Sequence, residues 1–306
     1  MQMSEPKVIV LLASYNGVVW LAEQLNSILN QVEVDVWLIV SDDLSEEATL
    51  GYLKLRANQD VQVKILPQGQ KFGNAGKNFY RLILEADLSD GDYVAFADQD
   101  DIWEVDKLIR HVELMRQHQA DGVSSNVMAF WPNGKEKLLV KSQSQKELDY
   151  LFESAGPGCT FLMTPWLVNK VREQLLDANS PAKDVALHDW LTYAVCRANG
   201  RHWVIDEQPS VRYRQHGNNV VGANVGVRAA WVRLLKIKRH WYRNEVLKVA
   251  EVSQKILNDS KVDELVQLLR SNSFFARFKL LKFVPQARRS TVDRMALAFA
   301  IVVGLF

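Results

Sequence analysis

Through the first hundred residues, short β-branched runs alternate with longer amphipathic stretches, and few folds accommodate that order. KVIVLLAS (7–14), VDVWLIVS (34–41), VQVKIL (61–66) and DYVAFA (92–97) have the composition of strands. Between them, VWLAEQLNSILNQ, EEATLGYLKLRAN and NAGKNFYRLILEA place apolar residues at helical spacing. The resulting βαβαβαβ order predicts an α/β fold with a mostly parallel sheet flanked by helices on both faces. Functional groups in such sheets lie beyond the carboxyl ends of the strands.

Those ends hold the most informative residues. The first strand runs into ASYNG (13–17), the second into SDDLS (41–45) and the fourth into DQDD (98–101), so three loops should meet at one crevice. Asp98, Asp100 and Asp101 put three carboxylates within four positions after an apolar run. Like charges that close raise one another's pKa unless a cation lies among them. Mg²⁺ or Mn²⁺, held by one or two carboxylates together with substrate phosphates, is the usual solution. A solvated acidic turn with Asp101 capping the next helix is the alternative, and Asp42 and Asp43 on the neighbouring strand weigh against it.

Beyond residue 102 the pattern loosens. DKLIRHVELMRQH reads as a helix, GVSSNVMAFW as a strand, and ELDYLFESAGPGCTFLMTPWLVNKVREQLL as a loop around GPG bounded by helical segments. LHDWLTYAVCRANG reads as a helix, RHWVID as a strand and RYRQHGNNVVG as a polar loop. From Gly226 the chain is helical and basic, with Arg233, Lys236, Lys238, Arg239 and Arg243 among tryptophan, tyrosine and aliphatic residues. Of 37 Lys+Arg and 36 Asp+Glu, residues 226–306 hold 16 and 6, leaving 21 and 30 for residues 1–225. The two parts, 1–225 and 226–306, should face different partners. The final twelve residues, MALAFAIVVGLF, carry no charge but are too short to cross a bilayer as a helix. A helix lying among headgroups of an anionic membrane suits them better. No nucleic-acid-binding motif accompanies the basic residues.

Two widely spaced cysteines, Cys159 and Cys196, give neither a metal knuckle nor a disulfide framework and fit a reducing compartment. The N-terminus lacks the pattern of a signal peptide. The expected location is cytoplasmic, peripheral on the inner face of the cell membrane.

LLASYNG, IVSDDLS, FADQDDIW, LHDWL and YRQHGNNVVG, in this order and at these separations, resemble the family 2 glycosyltransferases of GT-A fold. Within that family they are most similar to the bacterial rhamnosyltransferases of O-antigen and other surface polysaccharides. The resemblance covers about residues 6–222 and, more loosely, the basic tail. It implies a metal-dependent inverting transferase that moves a sugar, L-rhamnose from dTDP-L-rhamnose, onto a saccharide or lipid-linked acceptor. By the resemblance, Asp98 and Asp100 match the DxD motif, with Asp100 as metal ligand and Asp98 near the ribose and diphosphate. Gln99 lies between them on the donor side. Ala13, Tyr15, Asn16 and Asp42 match positions that cradle the nucleoside, and a carboxylate at Asp42 can accept from the imide N–H of uracil or thymine. Asp43 is either a donor contact or an N-cap or turn residue. Asp189 falls at the position of the general base, although His188 replaces the acidic residue that usually precedes it. His216 matches a loop over the diphosphate and would complete the metal shell or pair with phosphate. Lys77, at a helix start, is a donor contact or a surface lysine. Gly158 in GPGC matches the acceptor-side loop, and Trp190 would stack on a sugar or belong to the core.

Three rival readings have weaker support. A dinucleotide oxidoreductase needs G-x-G-x-x-G after the first strand, where this chain has only SYNG. A haloacid-dehalogenase-type phosphotransferase would make Asp98 a nucleophile, but its motif belongs on the first strand. A non-catalytic scaffold would lack the metal carboxylate or the base. A UDP-hexose donor stays open, as do the acceptor, the linkage and a homodimeric state.

Overall fold

The computed structural model describes residues 5–216, 241–271 and 273–306. Its first half follows the expected alternation: β1 (Lys7–Ser14), α1 (Val18–Leu29), β2 (Asp35–Asp42), α2 (Glu47–Gln59), β3 (Val63–Ile65), α3 (Ala75–Glu85) and β4 (Tyr93–Asp98). β3, β2, β1 and β4 lie side by side and pair in parallel. Successive side chains of β1 go to opposite faces. Val8, Val10 and Leu12 join the core built with α1, α2 and α4 (Lys107–His118), while Ile9, Leu11 and Ala13 join the core under α3. Because both faces are covered, β1 reads as an unbroken apolar run rather than an alternating one.

Beyond β4 the sheet becomes mixed. β5 (Ile102–Trp103), β6 (Gly122–Phe130), β7 (Glu136–Leu139), β8 (Leu162–Met163) and β9 (Trp203–Arg214) extend it to nine strands, in the order β3-β2-β1-β4-β8-β6-β9-β5, with β7 against β6. α5 (Pro165–Leu176) and α6 (His188–Ala198) cover the α3 face. The helices Trp241–Ile256 and Ser260–Arg270 share that core through Val246, Val249, Leu265 and Leu269.

Three local expectations need correction. RYR (212–214), read as the start of a loop, continues β9, because β6 pairs with it in parallel and Trp103 and Ile102 pair with it from the other side. Those ladders come from distant segments, so nothing local announces them. β8 lies within the stretch read as a loop, inserted antiparallel between β4 and β6. The third run forms a strand only over Val63–Ile65. The helical reading of 226–240, with Arg233, Lys236, Lys238 and Arg239, and the boundary at 225/226 lie outside the described residues.

Candidate active site

The strand register brings the predicted loops together. Ala13 pairs with Asp98 and Ser14 with Asp42, so the ends of β1, β2 and β4 are level. Polar side chains then fasten each loop to the next. The Gln99 amide pairs with the backbone of Tyr15, accepting from its N–H (2.8 Å) and donating to its C=O (2.9 Å). Gly17 makes room for it, since a Cβ at that position would collide with Oε1 of Gln99. Asn16, in left-handed backbone at φ 49°, donates its N–H to Ser45 Oγ and accepts from Glu46 N–H, both at 2.8 Å. Asn78, one turn into α3, donates to the carbonyls of Ser41 (2.9 Å) and Ser14 (3.3 Å) and so clamps β1 to β2.

Asp42 and Asp43 are both buried and engaged. Asp42 accepts from the N–H (2.8 Å) and hydroxyl (2.5 Å) of Ser45 in its own turn. Asp43 accepts from the N–H groups of Phe72 and Gly73 and thereby holds the loop before α3. It is not an N-cap: Glu46 occupies that position of α2. Lys77 is exposed, and its N–H donates to the α3 cap Asn74 at 2.8 Å. The lysine that meets the first loop is Lys71, whose Nζ donates to the Tyr15 hydroxyl at 3.0 Å. Sequence gave no signal for it, because the contact crosses 56 positions.

The acidic loop is a crowded cluster. Burial, then the charges of Asp100 and Asp189, push the Asp98 carboxyl up to about 7. The Asp98 backbone carbonyl accepts the Gln24 side-chain amide at 2.8 Å, which ties α1 to the start of the acidic loop. Asp100 faces His216 with Nε2···Oδ2 at 2.6 Å, and the imidazole is stacked on Trp20 with ring centroids 4.2 Å apart. Asp101 is fully buried and does not cap α4, whose N-cap is Asp106. Instead its Oδ1 accepts the Arg214 N–H at 3.0 Å, while Arg214 Nε donates to the Asp100 carbonyl at 2.7 Å, joining the end of β9 to the acidic loop.

Hard oxygen donors that raise one another's pKa are what a Mg²⁺ or Mn²⁺ site presents. Of the expected ligands, Asp100 and His216 are in contact at 2.6 Å and the Asp100 charge acts on Asp98. Asp98, Asp101 and Cys159 also have atoms within 4.8 Å of one another. That group suits Mg²⁺ or Mn²⁺ poorly, because a cysteine sulfur is a soft ligand and these ions prefer oxygen.

Asp189 enters the same crevice from α6. The N-cap position is Leu187, so Asp189 stands in the first turn of the helix and is not its cap. Its Oδ1 accepts the Trp190 N–H at 2.6 Å. Burial pushes its carboxyl up to about 6, against the opposing pull of that N–H, the Lys141 charge and the Gly158 backbone. The Asp189 charge is one of the causes that raise Asp98, so the base candidate lies within electrostatic reach of the acidic loop. Lys141 escaped the sequence reading, lying in a stretch with no motif.

Glycine and aromatic packing place this helix. A Cβ on Gly158 would meet His188 Nε2 at 2.5 Å and the Asp189 Cβ at 3.3 Å. His188 stacks on Phe79, centroids 3.7 Å apart, and burial pushes its pKa down to about 3. A neutral ring packed in this way explains why no second carboxylate stands before Asp189. Trp190 is buried, donates Nε1–H to the Tyr150 carbonyl at 2.9 Å and packs on Tyr242. Its ring is therefore core, and the expectation of sugar stacking does not hold, since the side chain is 3% exposed. Trp103 is likewise core, with Lys107 Nζ 3.1 Å above its ring centroid.

Residues 9–164 match the family model "Glycosyl transferase family 2". A dTDP-rhamnosyl transferase of Shigella flexneri is 38% identical over 96% of this chain and 100% of its own length. A UDP-Glc:alpha-D-GlcNAc-diphosphoundecaprenol beta-1,3-glucosyltransferase of Escherichia coli is 26% identical over 55% of this chain and 64% of its own. Among solved structures, S. aureus TarS 1-349 in complex with UDP superposes with TM-score 0.58 at 16% identity, over 92% of this chain and 75% of that one. A mannosyltransferase of Pyrobaculum calidifontis in complex with GDP-Man and Mn²⁺ gives 0.53 at 15% identity, over 99% and 81%. These distant structures share the fold, which is of the GT-A type. The chain belongs to glycosyl transferase family 2 and is a glycosyltransferase. With the family shown, the phosphotransferase reading of Asp98 is set aside.

Proposed function

We propose that this enzyme transfers L-rhamnose from dTDP-L-rhamnose, with inversion, to a saccharide or lipid-linked acceptor in bacterial surface polysaccharide synthesis. The sugar assignment is supported by full-length similarity to a dTDP-rhamnosyl transferase. The reaction type is supported by a buried carboxylate on α6, raised to about 6 and within electrostatic reach of Asp98 in the acidic loop. Asp189 takes the proton of the acceptor hydroxyl as that oxygen attacks the anomeric carbon, and a pKa near the working pH suits a base. Tyr15, Asn16 and Asp42 form the nucleoside side, with Ala13 at the strand end and Asp43, Gln99 and Lys77 bordering it. Asp98, Asp100 and His216 would hold Mg²⁺ or Mn²⁺, which when bound offsets charge on the departing nucleotide diphosphate. Gly158 lines the acceptor side. Because the acceptor would be carried on lipid, the enzyme would work at the cytoplasmic face of the membrane.

A UDP-hexose donor is the second reading, favoured by similarity to the glucosyltransferase of E. coli. A thermal-shift panel of dTDP-rhamnose, UDP-glucose, UDP-galactose and GDP-mannose, each with Mg²⁺, Mn²⁺ or chelator, separates the two, since a ligand of the folded state raises its stability. A chelator-sensitive shift with dTDP-rhamnose alone supports the proposal; a shift with a UDP-sugar alone replaces it. Asp100→Ala should remove the metal-dependent part of the shift, and an unchanged metal titration would refute its role as ligand.

A further inference from the structure

Nine of the nineteen exposed large apolar side chains among the described residues fall between Phe274 and Leu305. They are not scattered. Phe274 (60% exposed), Phe275 (77%) and Phe278 lie on one side of the short helix Phe274–Lys279. Val292 (68%), Met295 (61%) and Phe299 (65%) recur at helical spacing along Thr291–Val303. The opposite sides of these helices, with Ala276, Leu297 and Ile301, are buried in the bundle. The two helices pack on one another, and Arg277 bridges them: its guanidinium lies over Phe274 and Phe278 and reaches Gly304 at the end of the second helix. Two segments that look separate in sequence therefore lie side by side, each with apolar side chains exposed, and soluble monomers rarely expose so many without use.

Charge decides what covers them. Residues 273–306 contain six Lys+Arg and one acid, Asp293, which pairs with Arg288 at 3.1 Å; Arg288 and Arg289 also meet Glu153, and Lys282 meets Glu264, so Arg277, Lys279 and Arg294 supply the positive charge with no acidic partner among the described residues. A second copy placed face to face would bring like charges together, whereas an anionic surface meets both the aromatic rings and the cations. The patch is also joined to the catalytic helix. Phe306 packs on Tyr242 (5.6 Å) and Tyr242 on Trp190 (6.0 Å), the residue after Asp189.

We propose that the paired outer faces of Phe274–Lys279 and Thr291–Val303 dock on the surface of an anionic lipid bilayer, seating exposed phenylalanines among the headgroups and holding the Asp189 helix near lipid-borne acceptors. This deepens the lipid-linked-acceptor reading and rests on it for the choice of membrane face. The face is built for shallow insertion, because no helix among the described residues is long and apolar enough to cross a membrane.

The test is co-sedimentation of the full chain with phosphatidylcholine vesicles, with and without phosphatidylglycerol, at low and high salt. Binding should need the anionic lipid and weaken with salt. The double variant Phe275→Ser/Phe299→Ser should partition at least about tenfold less, the loss expected even if each phenylalanine is only partly inserted. Lys279→Glu, a change confined to an exposed charge, should weaken binding by about fivefold. Melting temperature and the nucleotide-sugar thermal shift, read on the same samples, should not move in either variant; loss of the sugar shift alone would count against the donor reading and leave docking standing. Full-length protein that stays in the supernatant overturns the proposal, as does undiminished binding by both variants. A concentration-dependent dimer without lipid, lost in the serine variant, would assign the face to a second copy instead.

Discussion

The two sides of the crevice are held by different forces. On the proposed donor side, polar side chains fasten backbone: Gln99 to Tyr15, Asn16 to the 45–46 turn, Asn78 to two strands and Asp43 to the loop before α3. On the proposed acceptor side, Asp189 is placed by contact: Gly158 against His188, His188 on Phe79, and Trp190 on Tyr242. Hydrogen bonds fix direction and tolerate little sliding, which suits loops that must present backbone to a nucleotide. Packing fixes position while withdrawing water, which raises a carboxyl's pKa toward the range where it works as a base. Losing an anchor on the first side should therefore affect donor binding, and a change on the second should affect turnover.

Asp189→Asn gives the largest expected effect. Turnover should fall about 10²–10⁴-fold, the usual contribution of a general base, while the donor-induced thermal shift stays within error. Normal turnover would place the base elsewhere and remove the contrast. Gly158→Ala comes next, because its methyl group must displace His188 or Asp189. We expect a stability loss of about 1–3 kcal/mol from overpacking, seen in denaturant midpoints, with kcat reduced more than donor KM. Gln99→Ala removes both bonds to Tyr15 and should raise donor KM with a smaller change in kcat, at a stability cost of about 1–2 kcal/mol; steady-state kinetics with each substrate varied decides this. A kcat decrease at constant donor KM would show that the anchoring distinction is wrong.

pH offers a finer test. With the Asp189 pKa raised to about 6, kcat/KM should climb as pH rises through about 6 and flatten above it. Stability has the opposite slope. The folded state holds protons on Asp98 and Asp189 that the unfolded chain has already released, so metal-free protein should lose stability as pH rises from about 4 to about 7. Chemical denaturation with chelator across that window measures it, and stability that increases with pH would overturn the clustered-carboxylate picture. The smallest effect should come from Trp190→Phe, with stability lower by about 1 kcal/mol for one lost hydrogen bond and acceptor KM unchanged, since its ring is closed to the crevice.

Sequence alone determined the layered α/β half and the meeting of the three strand-end loops. Period-2 and period-3.6 apolar patterns are local, and a parallel sheet aligns its carboxyl ends by construction. Charge at the end of a buried strand singled out Asp98 and Asp100, while Asp189 and His216 came from the resemblance to family 2 glycosyltransferases. Tertiary structure alone decided what each polar residue holds. The Gln99–Tyr15 pair spans 84 positions, His216–Asp100 spans 116, and β9 runs on through Arg214 because β6 and β5 supply its partners. The same is true of Trp190, legible as an aromatic beside an acid yet buried by a helix more than forty residues later. Hydrogen-bond partners and burial are set by which segments become neighbours in space, and local composition carries no record of that choice.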